Sequence, residues 1–140
     1  MKKLIALAVV LSGLAGVMVA QSYSNWEALG TLRNARFVYV TSYDGSQFSR
    51  DVLPEDRAAI SRVQDAVRSW GYTVVQRPQQ ADMILAVQSR GSEDTLAVYS
   101  AGFSNYLWRA SQKHGFSLEN GTLLNQLKAD LDRTKSGGRR

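Results

Sequence analysis

The chain has 140 residues, no cysteine, one histidine and a formal net charge of +5, with 44% hydrophobic and 21% charged residues. That length allows one domain with a short extension. The missing cysteine excludes disulfides, a thiol nucleophile, thiolate metal sites and a lipidated N-terminal cysteine, and a single histidine excludes HExxH and three-histidine zinc sites.

The first twenty residues have the form of a secretory signal. Lys2 and Lys3 precede the apolar run Leu4–Leu11, and small residues gather before Ala20-Gln21. This pattern predicts export and cleavage after Ala20, with an uncleaved anchor as the competing expectation. The domain is therefore expected over residues 21–134, with 135–140 as a flexible basic tail. Setting aside Lys2, Lys3, Arg133, Lys135, Arg139 and Arg140 leaves residues 21–132 with a net charge of −1. On that count the basic excess belongs to the chain end, with no basic stripe on the folded body.

In chain order, Trp26, Leu29 and Leu32 recur at helical spacing and predict a short turn ended near Asn34. Phe37-Val38-Tyr39-Val40 is wholly β-branched or aromatic and suits an interior strand. The polar loop Asp44–Val52 lacks both GxxxxGK[ST] and GxGxxG, so it is no phosphate loop. From Pro54 the period becomes helical. Ala59, Ile60, Val63, Ala66, Val67 and Trp70 form an apolar stripe, Arg62 and Asp65 fall on the other side, and Gly71 supplies the stop. Strands are expected at Tyr72–Gln76, Met83–Val87 and Leu96–Tyr99, the last two joined by a five-residue polar link, Gly91–Thr95. Tyr106–Ala110 suits either a strand or a helical turn, and Phe103, Tyr106 and Trp108 suit a core or a sugar-stacking ledge. A final helix opens at Thr122, a candidate cap, with Leu123, Leu124, Leu127 and Leu131 on its apolar face. The expected fold is an α/β or α+β domain: a β-α-β-β-β sheet on one amphipathic helix, with Trp108 and the last helix assigned to the sheet's other face.

The chemistry is sparse. His114 with Ser111 and Asp130 or Asp132 would be the one available triad, but Ser111 sits in no GxSxG elbow and the two aspartates are expected on a solvent-facing side. Asp44 and Asp51 flank one loop and Glu93 and Asp94 lie in another. They would serve glycoside chemistry only if folding brought them together, and they lack calcium-loop spacing. Acidic residues in polar turns otherwise solubilise. Asp82, just before an apolar strand, is expected to accept backbone hydrogen bonds. Asn120 fits the N-glycosylation pattern. No catalytic, cofactor-binding or metal residue is assigned.

The order strand, long helix ending in Trp70-Gly71, short strand, then Pro78-x-x-Ala81-Asp82 before the apolar strand Met83–Val87 resembles small secreted proteins of Gram-negative and acidobacterial type. More loosely, it resembles the α/β domains that accompany cell-envelope assembly proteins. Leu107-Trp108-Arg109 and the terminal helix are further echoes. The resemblance implies a periplasmic, non-enzymatic domain and carries over no functional residue; the signal-like start together with the lack of a catalytic set makes a periplasmic or secreted domain that binds a protein or envelope component the leading expectation. The chain departs from the envelope lipoproteins in lacking the lipidated cysteine. Two rival expectations stand beside it: a small hydrolase of sugar or peptide built on buried Asp44, Asp51 or Asp94 facing His114 or one another in a cleft, and weak binding of anionic surface or nucleic acid through the basic tail.

Overall fold

The computed structural model describes residues 26–137 apart from 46, 50, 91–92, 103–104 and 118–120. The signal segment, the sequon asparagine Asn120 and Phe103 lie outside the described residues.

A 3-10 helix, Trp26–Leu32, leads into β1 (Phe37–Ser42). After a loop and a 3-10 turn at Pro54–Asp56 comes α1 (Arg57–Ser69), followed by β2 (Thr73–Val74), β3 (Met83–Arg90), β4 (Glu93–Ser100), β5 (Trp108–Lys113) and α2 (Thr122–Gly137). The sheet order is β2-β1-β3-β4-β5, with β1 parallel to both β2 and β3, and β4 antiparallel to β3 and β5. A mixed sheet of this kind follows from the connections. Parallel neighbours need crossovers, which α1 and the segment 75–82 provide, while shorter turns join the antiparallel strands. The second crossover is brief. Val75 N donates to Val38 O on one side of β1, and Asp82 N donates to Phe37 O on the other, each at 2.8 Å.

Alternation along the strands divides the side chains cleanly. Val38, Val40, Met83, Leu85, Val87, Leu96, Val98, Trp108 and Ala110 belong to one buried cluster with Leu29, Leu32, Ile60, Val63, Val67, Leu123, Leu127 and Leu131. Both helices and the opening 3-10 helix therefore cover the same face. This corrects the assignment of Trp108 and the last helix to the opposite side: Trp108 stands in phase with Val98, its β4 partner, and α2 follows it. The other face holds Tyr39, Tyr43, Ile84, Ala86, Ala97 and Tyr99, and no helix among the described residues covers it. Phe48 lies there instead, edge-on to Tyr99 at 5.1 Å between ring centroids. Ala86 and Ala97 are register partners on adjacent strands, and their small side chains leave room for that ring.

Several local expectations change. The β3–β4 connection is shorter than a five-residue link, since β4 begins at Glu93 and takes in Asp94 and Thr95. Thr122 is already helical, and its hydroxyl is buried without a hydrogen-bond partner, so it is not the cap. Gly71 does end α1, at a φ of 101° that a side chain would disfavour. Helix α2 continues through Lys135 to Gly137, into the segment expected to form a tail.

Candidate functional site

The carboxylates singled out from the sequence differ in what they bond. Four of them accept hydrogen bonds from different groups. Asp44 Oδ1 accepts Gln47 N at 2.8 Å and closes the loop after β1. Asp94, only 5% exposed and not in a polar turn, accepts Phe116 N at 2.9 Å. Asp130 is not solvent-facing: its Oδ2 accepts the indole N–H of buried Trp108 at 2.8 Å. Asp82 Oδ2 accepts Arg36 N at 2.9 Å and Phe37 N at 3.1 Å, tying β3 to the start of β1. Those two backbone donors hold the Asp82 carboxyl below the ordinary carboxylate range, because they stabilise its charged form. Asp51 and Glu93 are exposed. Ser111 Oγ shares a hydrogen bond with Thr95 Oγ1 at 2.8 Å within the sheet.

His114 is exposed, in a left-handed turn at φ 52°. The next two residues are pinned by packing. A Cβ on Gly115 would collide with Leu123 Cδ1. Phe116 is gripped through both backbone groups, its N–H by Asp94 and its carbonyl by Arg62 Nη1 at 2.5 Å. Arg62 is thus half-buried and joins α1 to the β5–α2 connection, where helical period alone puts it in solvent. None of these partners can be found by spacing, since Arg62 and Phe116 are 54 residues apart in the chain. Among the described residues, no group of three His, Cys, Asp or Glu could hold a metal ion, and no helix is long and apolar enough to cross a membrane.

Two surfaces remain as candidates for binding. A cleft of about 350 Å³ opens where β1 begins, lined by Thr31, Leu32, Asn34, Ala35, Asp82, Ser100 and Ala101. Beside it Phe37 is 42% exposed. The second surface is the helix-free face, where Arg109 stands 5.6 Å from the Tyr43 ring centroid and Tyr106 is half exposed. Tyr99 is fully buried on that face and its hydroxyl has no hydrogen-bond partner. Burial, then the neighbouring Tyr43 and Asp44, pushes the Tyr99 phenol far above its ordinary range.

Fold and surface together define a small mixed α/β domain in which the helices among the described residues cover one side of the sheet. No family model matches the chain, and no curated protein matches it. Among solved structures it is similar to a PelC dodecamer from Paraburkholderia phytofirmans, at 16% identity and a TM-score of 0.45, over 71% of this chain and 88% of that one. A likeness of that degree carries no functional argument.

Proposed function

We propose that this is an exported, non-catalytic domain that binds a protein or cell-envelope component. The observation that carries the proposal is the separate employment of its carboxylates. Asp44, Asp82, Asp94 and Asp130 each hold particular N–H groups, and His114 lies in an exposed turn. A two-carboxylate hydrolase needs an acid and a base facing each other across roughly 5–9.5 Å with a substrate between them. Residues already committed to backbone or indole donors serve architecture. The signal-like start supports export, and the resemblance to secreted envelope-associated domains supports the same compartment.

Expression in an exporting bacterial host tests both parts. The expected product has the mass of residues 21–140, co-fractionates with the envelope, and turns over neither peptidoglycan nor chromogenic glycosides or peptides. Turnover abolished by Asp94→Asn or His114→Ala would replace this reading with the hydrolase.

A further inference from the structure

Counted along the chain, the basic excess belongs to a tail, but α2 returns part of it to the body. Arg133 stacks on Trp26, its guanidinium carbon 4.1 Å from the ring centroid, and Lys135 Nζ lies 5.4 Å from the Tyr72 ring. Tyr72 immediately precedes Thr73, whose N–H bonds Arg36 O and whose register partner is Phe37. The two cations therefore sit at the end of the domain where β1 begins. Arg33 and Arg36 enter that strand from the 3-10 helix, and Arg77 lies on the crossover that passes over its first residues; all three are exposed.

Acidic groups at this end are fewer, and two of the three are engaged. Asp82 takes the Arg36 and Phe37 N–H groups, and Asp132 pairs with Lys128 at 2.8 Å; Glu27 is exposed. The opposite end, beyond the last residues of β1 and at the β3–β4 turn, exposes Asp44, Asp51, Glu55 and Glu93 against Arg57 and Lys113, the latter the register partner of Glu93. A neutral total thus conceals a charge difference between the two ends, which orients a molecule in an external field. At this end, on the helix-free side of β1 in phase with Tyr39, stands Phe37, one of three large apolar side chains left exposed among the described residues.

We propose that this end docks on an anionic phospholipid surface, with Arg33, Arg36, Arg77, Arg133 and Lys135 facing the headgroups and Phe37 entering the interface. Five basic residues fall within the roughly four to eight that mark electrostatic lipid recognition, each contributing about 1 kcal/mol near such a surface. An aromatic ring among cations is the side-chain pairing of interfacial segments. A bilayer suits the pattern better than nucleic acid because the export signal leads to an envelope and the exposed apolar group is one isolated ring, without a stacking series. The inference rests on the export reading, and names the envelope component as lipid.

The test uses the processed protein recovered after export, with co-sedimentation on phosphatidylcholine vesicles with and without about 30% phosphatidylglycerol, between about 0.05 and 0.15 M salt. Binding should require the anionic lipid, weaken as salt rises, and survive deletion of residues 138–140. Arg36→Gln and Arg77→Gln should each lower affinity about fivefold with unchanged thermal unfolding, and Phe37→Ser should weaken binding without changing the salt slope. Glu93→Gln, at the far end, is the control and should have no effect. No binding at low salt, loss on removing 138–140, indifference to the arginine variants, or equal affinity for duplex DNA would each overturn the proposal. Failure on vesicles by a processed, envelope-associated protein defeats the lipid assignment alone, whereas failure of processing defeats the export reading beneath it.

Discussion

The two faces of the sheet are closed by different means. One is covered by two helices and a 3-10 helix that bring Ile60, Val63, Val67, Leu123, Leu127 and Leu131 onto the strands. The other is closed by what the connections leave behind: Phe48 from a loop, Ala81 and Val75 from a crossover, and the sheet's own tyrosines. Each buries a large aromatic side chain, and the two differ in how its polar group is satisfied. The buried Trp108 indole on the helical face has Asp130, whereas the Tyr99 hydroxyl on the loop face has no partner. Stability is thus expected to be concentrated on the helical side, where each large buried apolar side chain contributes roughly 1.5–3 kcal/mol.

The sharpest attempt to break this contrast is Val63→Asp. Val63 is completely buried, so the new carboxylate would be unpaired in the core, and a loss of about 4 kcal/mol or more is expected. A folded variant with a normal denaturant midpoint would show that the helical face is not the main core. Next in size is Asp130→Ala, which strands the Trp108 N–H and should cost about 1–3 kcal/mol. Arg62→Asp comes close behind. Losing the bond to the Phe116 carbonyl should cost about 1.5 kcal/mol, well above the 0.5 kcal/mol or so typical of a surface change, and an effect within that surface range would mean that the contact is dispensable.

On the loop face the expected sign reverses. Tyr99→Phe removes a buried hydroxyl that makes no hydrogen bond, so it should be neutral or stabilising by up to about 1 kcal/mol. It should also change the alkaline limb. The Tyr99 phenol is raised in the folded state, so the folded chain keeps a proton that the unfolded chain releases. That stabilisation is complete below about pH 10 and is lost as pH climbs toward the folded value. Without Tyr99, the pH dependence above about pH 10 should shrink to the contribution of Tyr72, also raised by burial and then by Asp132. Unfolding curves at pH 8 and 11 check this, and an unchanged alkaline slope would place the titration elsewhere. The smallest effect is on the acid side. Asp82 is held below its ordinary range by two N–H groups, so its contribution is present above about pH 4 and fades as pH falls. Asp82→Asn should flatten the acid limb, measured by midpoints at pH 3 and 6.

How far these features are legible in the sequence depends on the range of the interaction. Phe37–Val40 and Met83–Val87 announce interior strands because every side chain in them can be buried, and the stripe from Ala59 to Trp70 announces a helix because its period is that of the backbone. Such patterns report that an element has a buried side. They do not say against what. Periodicity therefore puts Trp108 and α2 on the wrong face, leaves Asp94 and Asp130 solvated, and gives Arg62 to water. Each depends on a partner supplied by another element: Phe116 for Asp94 and Arg62, Trp108 for Asp130. Asp82 is legible as an acceptor of backbone hydrogens, but its donors come from the start of β1, 45 and 46 residues earlier. The basic end is hidden for a similar cause. Counting charges along the chain separates Arg133 and Lys135 from Arg36 and Arg77, and only the return of α2 to the start of β1 reunites them.

Leu29 and Leu131, near opposite ends of the described chain, belong to one core, and this bears on when the molecule can fold. The β3–β4 hairpin needs only neighbours in sequence and can form early, but the parallel pairing of β1 with β3 must close a loop around the whole of α1 first. Even then the helical face stays open until α2 arrives. Helix α2 is therefore the last wall added to the described fold, and until it has been made Trp108 lacks both the leucines that cover its face and the Asp130 carboxylate that accepts its indole N–H.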